Sequence, residues 1–114
     1  MHEFSIAMSL LEAAEAETRR LGAVQVRAVI VRIGPLAGVD VQALRTAFRF
    51  AQTTSPLSGA ELAIEDAPLS AFCPRCGKSQ PVRSVQEWIC GQCGDVAGEL
   101  ATGRELDLIG LEVE

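Results

Sequence analysis

Four cysteines fall in two Cys-x-x-Cys pairs, Cys73-Pro74-Arg75-Cys76 and Cys90-Gly91-Gln92-Cys93, with 13 residues between them. Each pair sets two thiolates on one tight turn, and two such turns brought together offer the tetrahedron of sulfurs that Zn(II) favours. Gly77 and Gly94 follow the second cysteine of each pair, where freedom to adopt positive φ lets backbone amides turn toward the sulfurs. Four protein ligands leave no open coordination position, so the implied site is structural and not catalytic. The competing readings are two disulfides, which a reducing compartment disfavours, rubredoxin-type iron, and a thioredoxin-like redox pair. Iron fits the knuckles, but nothing else in the chain points to electron transfer.

The surrounding segment needs such a staple. Residues 70–103 number 34, hold five of the ten glycines, and contain few large apolar side chains. That is below the roughly 40 residues at which an unaided core usually suffices. Trp88 is expected to pack this module, since an indole needs cover and a partner for its N–H. Arg75, Lys78 and Arg83 are expected to offset the charge of the thiolates.

The rest of the chain reads as a small α+β domain. Ile6, Leu10, Ala13, Ala14, Glu17 and Leu21, mostly apolar, recur at helical spacing, with Ser5 as the expected N-cap and Gly22 as the stop, which predicts a helix over 5–21. Residues 24–33 form a β-branched run and read as a well-covered strand. Gly34-Pro35-Leu36-Ala37-Gly38 breaks the chain, and Asp40 caps a second helix to about Gln52 with Val41, Leu44, Phe48 and Ala51 on one face. A loop over 53–59 leads to a half-buried strand at 60–66, and a last strand at 104–114 changes phase near Ile109-Gly110, where a bulge would restore one buried face. The expected architecture is two helices on a three-stranded mixed sheet, with a zinc-ribbon-like module inserted before the last strand. In domain terms, 1–69 completed by 104–114 form the main unit, and 70–103 form the zinc module.

Composition narrows the function classes. Of 114 residues, 48% are apolar and the formal net charge is −5, a globular and acidic profile that argues against generic phosphate-backbone binding. No apolar run approaches the ~18–20 residues of a membrane span, and Met1-His2-Glu3 lacks the basic start of a signal peptide, so a cytoplasmic protein is expected. No Gly-x-x-x-x-Gly-Lys-Ser/Thr loop is present, and the one histidine, His2, sits at the terminus, out of keeping with a Ser-His-Asp site. The chain does not read as an enzyme. Glu12, Glu15 and Glu17 read as a solvated helix face.

His2 by itself could be an inert terminal residue. Yet the Met1 α-amine, the His2 amide and the His2 imidazole can close adjacent chelate rings on one ion, and Glu3 adds an amide and a carboxylate. A nitrogen-rich, near-planar set of this kind suits Ni(II) or Cu(II) better than zinc, and its exposed position would permit handover.

Met1-His2-Glu3-Phe4-Ser5-Ile6, the run Ile33-Gly34-Pro35-Leu36-Ala37-Gly38-Val39, the two knuckles, and the ending Glu105-Leu106 through Leu111-Glu112-Val113-Glu114 together resemble the HypA/HybF family over essentially the whole chain. Phe4 stands where many relatives have Met or Leu, a packing change that leaves the ligands alone. The resemblance implies a nickel metallochaperone for maturation of nickel-iron hydrogenase and, in some organisms, urease. It implies His2 as the nickel ligand with Glu3 beside it, and Cys73, Cys76, Cys90 and Cys93 as ligands of a structural Zn(II). It further implies work with the GTPase HypB, docking on the hydrogenase large-subunit precursor and, in some organisms, urease maturation proteins, and a second-helix start at Asp40 that lies near the N-terminus. The rival reading is a zinc-ribbon adaptor or nucleic-acid-associated module with no nickel role.

Overall fold

The computed structural model describes residues 2–22 and 24–114, and its first helix, α1, spans His2–Leu21. Strand β1 is Val26–Ile33, helix α2 is Val41–Ala51, and strand β2 is Glu61–Asp66. Three short strands follow, β3 (Ser70–Cys73), β4 (Lys78–Pro81) and β5 (Leu100–Thr102), and β6 (Leu106–Val113) ends the fold. The strands form two sheets, ordered β2-β1-β6 and β4-β3-β5. The chain divides into two compact units: Met1–Arg32, Gly38–Glu65 and Asp107–Glu114 make one, and Ile33–Ala37 with Asp66–Leu106 make the other.

In the first unit, β1 is buried along nearly its whole length, with Arg27 and Arg32 turned outward. Those two arginines reach opposite neighbours: Arg32 pairs with Glu65 of β2 and Arg27 with Glu112 of β6, each at 3.1 Å. Such exposed pairs contribute at most about 1 kcal/mol each, so the apolar run and not the charges sets the pairing. The sheet is mixed: the Glu114 amide donates to Gln25 O near one end of β1 and the Gly34 amide to Glu105 O near the other, which makes β6 antiparallel. The Ala67 amide donates to Ile33 O, where β1 and β2 end together in parallel, joined through α2. The core gathers Ala7, Leu10, Leu11 and Ala14 of α1, Val29 and Val31 of β1, and Leu44 and Phe48 of α2, on which α1 packs. Buried Gln52 closes the following loop, its amide donating to Leu57 O at 2.7 Å and Ala60 O at 3.1 Å.

Asp40 caps α2 as expected, its carboxylate accepting from the Ala43 amide at 3.1 Å. Ser5 is not the cap of α1: the helix already runs from His2, and Ser5 lies exposed in its first turns. A long-range bond explains the earlier start, because the Glu3 carboxylate accepts from the Asp40 amide and fixes a residue that local propensity alone would let fray. The buried face of α1 is also rotated from the predicted one, to Ala7, Leu10, Leu11 and Ala14, leaving Ala13 and Leu21 exposed. On β6, Leu106, Leu108 and Leu111 are half-buried while Ile109 and Val113 are exposed, so of the two residues expected to face inward past Gly110 only Leu111 does.

The second unit rests on an antiparallel hairpin, with Cys73 opposite Lys78 and Ser70 opposite Pro81, and β5 pairs with the other edge of β3. Its apolar core is small: Ala71, Val82 and Ala97 are buried, with Leu69 and Trp88 packed against them. The Trp88 indole N–H finds the expected partner, Gly98 O, at 2.8 Å. Backbone comes unusually close at Gly34, where an added Cβ would lie 2.2 Å from Gly103 O. The Glu105 carboxylate holds that corner, accepting from the Gly103 amide at 2.8 Å, and the Leu36 amide donates to Gly103 O at 2.7 Å. No helix among the described residues is long and apolar enough to cross a membrane.

Candidate metal sites

The hairpin β3–β4 presents the first knuckle and the segment paired to Val82 presents the second. Cys73 ends β3, and the turn through Cys76 closes when the Gly77 amide donates to Cys73 O at 2.8 Å. Cys90 bridges Val82, and the Gly94 amide donates to Cys90 O at 2.9 Å, repeating the same turn. Gly77 and Gly94 sit at φ +74° and +84°, a region that side chains with a Cβ rarely adopt. The amides of Cys76 and Cys93 each point at the first sulfur of their own knuckle at 3.4 Å, and the Gln92 amide does the same for Cys90.

The four Sγ atoms lie within 4.8 Å of one another. Cys73 and Cys93 sulfurs are 3.6 Å apart, and those of Cys76 and Cys90 are 4.0 Å apart. A tetrahedron with metal–sulfur bonds of about 2.3 Å has sulfur–sulfur edges of about 3.8 Å, so the cluster has the dimensions of a four-thiolate zinc site. All four cysteines are free thiols, which removes the disulfide reading. Cys73 and Cys90 are buried while Cys76 and Cys93 are partly exposed, so the metal would sit at the edge of the module with no vacant position for a substrate. Burial pushes the Cys90 thiol up, but the amides of Cys93 and Gln92 outweigh it and bring its pKa down to about 7. The Asp95 amide favours the Cys93 thiolate, yet burial and the neighbouring thiols push that group up to about 12.

Two of the basic residues near the knuckles have carboxylate neighbours. Arg75 pairs with Asp95 and Arg83 with Glu87, each at 3.8 Å. The helix acids gather no site either: Glu17 pairs with Arg20, and Glu15 accepts from the Ser55 hydroxyl at 2.6 Å. Among the described residues, the four cysteines are the one cluster of three or more groups able to hold a metal.

At the other end of the sequence, His2 is exposed and opens α1. The first amides of a helix have no intrahelical acceptor, so the His2 N–H is not committed to the helix, while the Glu3 N–H faces the carboxylate of its own side chain. Glu3 is half-buried and its carboxylate accepts from the Asp40 amide at 3.1 Å. That bond holds the Glu3 carboxyl below its ordinary range, against smaller opposing effects of burial and the Asp40 charge. Asp40 thus lies beside the N-terminal turn, but its own carboxylate is engaged with the Ala43 amide. The Met1 α-amine, the third expected donor, lies outside the described residues. Sequence reasoning missed the contact between Phe4 and Phe50, whose ring centroids are 6.2 Å apart. No local signal announces a pairing of residues 46 positions apart.

A family model described as hydrogenase/urease nickel incorporation, metallochaperone, hypA, matches residues 1–113. The chain belongs to the HypA family. It is 41% identical over 112 residues to the hydrogenase maturation factor HypA of Chloroflexus aggregans, covering 98% of each chain. It is 40% identical over 114 residues to that of a Roseiflexus species, covering 100% of this chain and 93% of the relative. The fold matches the solution structure of the Ni metallochaperone HypA from Helicobacter pylori with a TM-score of 0.68 at 24% identity, covering 97% of this chain and 96% of that one. A second solution structure of a HypA protein gives 0.72 at 25% identity, covering 100% and 97%. As a HypA-family member the chain is a nickel metallochaperone of hydrogenase/urease maturation with a four-cysteine zinc site, and not an enzyme. This sets aside the reading of a zinc-ribbon module with no nickel role.

Proposed function

We propose that this metallochaperone carries its cargo Ni(II) at the N-terminus through the His2 imidazole and amide, with Glu3 adding its amide and the Met1 α-amine completing the set. The observation that carries the reading is the exposed His2 at the first turn of α1, where backbone amides are not committed to the helix. Nitrogen donors of this kind suit Ni(II), and an open terminal site can pass an ion on, which a closed four-thiolate cage cannot. The Glu3–Asp40 bond supports a fixed base for this arm. Residues 1–69 with 104–114 form the nickel-carrying part, and 70–103, folded around Zn(II) on Cys73, Cys76, Cys90 and Cys93, form the other. Delivery takes place in the cytoplasm, in complexes with the GTPase HypB and the hydrogenase large-subunit precursor and, where urease is present, with urease maturation proteins.

A calorimetric Ni(II) titration of zinc-loaded protein with a free N-terminus tests this, wild type beside His2→Ala. One nickel per chain, lost in the variant at unchanged zinc content, is the expected result. Equal nickel binding by both proteins would overturn the assignment.

A further inference from the structure

The outward face of α2 is unlike the rest of this acidic chain. Residues 41–51 contain Arg45 and Arg49 and no Asp or Glu, in a protein of formal net charge −5. Phe50 is 70% exposed and Phe4 46%, and the two rings lie against each other at an interplanar angle of 54°. Arg45 and Arg49 line a groove between α2 and β2 together with Ser58, Glu61 and Leu62. Arg45 donates to Leu62 O at 2.9 Å, which keeps its guanidinium on the groove wall with donors to spare. Arg49 makes no ion pair among the described residues, although Glu61 lines the same groove.

We propose that Phe4, Arg45, Arg49 and Phe50 form a docking surface for an acidic, apolar-anchored segment of a protein partner. Aromatic side chains and arginine are the residue types that carry most binding energy at protein interfaces, and here both types are solvent-facing along α2, the arginines toward β2 and Phe50 toward Phe4. The charge selects the occupant. A second copy of this chain, meeting the same face across a two-fold axis, would oppose arginine to arginine. A carboxylate-bearing segment would instead pair with Arg49 and with the free donors of Arg45, while an apolar side chain covers the phenyl rings. The surface starts at the nickel-bearing end: Phe4 follows Glu3, which is bonded to the N-cap residue of α2. Docking there would bring a partner beside His2, but the docking itself needs no nickel and does not depend on the His2 assignment.

The test uses the zinc-loaded full chain as analyte against the purified GTPase and, separately, the hydrogenase large-subunit precursor, with Arg49→Glu, Phe50→Ser and His2→Ala beside wild type. Helical circular dichroism and zinc content, unchanged in all variants, confirm folding. Arg49→Glu and Phe50→Ser are each expected to weaken binding to at least one partner about tenfold or more, as hot-spot residues do. His2→Ala is expected to dock as wild type does, so a loss of nickel binding and a loss of docking are read apart. Raising salt should weaken the wild-type complex more than the Arg49→Glu complex. Affinity unchanged in both variants, or no binding of either partner by wild type, would overturn the proposal. So would sedimentation showing that the same two substitutions dissociate a homodimer.

Discussion

Removing zinc should unfold one unit and leave the other standing. The second unit buries Ala71, Val82 and Ala97, with only Leu69 and Trp88 packed around them, so no fully buried side chain in its apolar cluster is larger than valine. Structural zinc supplies an apparent ~10–16 kcal/mol in small zinc-dependent folds, as much as or more than the ~5–15 kcal/mol by which whole domains are stable. A core this small cannot replace that contribution. The first unit has Leu44, Phe48, Val29 and Val31 fully buried and does not draw on the metal. Chelation at neutral pH, or Cys90→Ser, should therefore release the half-buried Trp88 into solvent and shift its emission to the red. Trp88 is the one tryptophan of the chain, so the signal is unambiguous. Hydrogen exchange followed in parallel should show residues 70–103 losing protection while the amides of Val29 and Val31 keep theirs. Unchanged Trp88 emission at verified zinc loss would refute the reasoning. Simultaneous loss of protection in both units would refute it equally.

Two further outcomes follow from particular contacts. Glu3 has its pKa lowered in the folded state by the Asp40 amide, so its contribution to stability is present above the unfolded value of about 4.3 and is lost as pH falls through the lowered folded value. The stability gap between wild type and Glu3→Gln in urea should accordingly be larger at pH 7 than at pH 3; a gap independent of pH would show that the charge of Glu3 plays no part. Gly34→Ala would force a Cβ to within 2.2 Å of Gly103 O and 2.3 Å of Gly103 C, backbone atoms that cannot swing aside. Its destabilisation should exceed the ~1–3 kcal/mol of ordinary overpacking, read as a lowered urea midpoint, and a midpoint within error of wild type would contradict the close approach.

The parts of the fold set by local chemistry were legible. A run of β-branched residues specified β1, and Asp40 three positions before an amide it could satisfy specified the start of α2. The knuckles declared the metal cluster because ligand spacing and the glycine after each pair are themselves the geometry. What could not be read depended on distant residues. Ser5 has the chemistry of a cap, but Glu3 bonding 37 positions away at Asp40 decides where α1 begins. The strands β3, β4 and β5 are only 4, 4 and 3 residues long and are rich in small or polar side chains, so they carry no periodicity long enough to detect. Asp95 and Glu87 as partners for Arg75 and Arg83 likewise emerge only once the knuckle and the following loop are folded.

The ends of the metal-bearing insert are tied to each other. Ser70 stands opposite Thr102, their hydroxyls are 2.6 Å apart, and the Thr102 hydroxyl also donates to Pro68 O at 2.7 Å. An excursion of more than thirty residues thus departs and returns at nearly one point. To the strands that flank it, such an insert is a connection that leaves and returns at one point and whose interior is free to vary. Closing a flexible loop becomes only about 0.6 kcal/mol harder for each doubling of its length. The host can therefore tolerate a longer, shorter or temporarily melted insert with little change in its own stability. The same pinned ends make the segment portable: a cassette that could be excised and bridged by a short turn, or exchanged for one built around a different ion, without re-registering the sheet on either side of it.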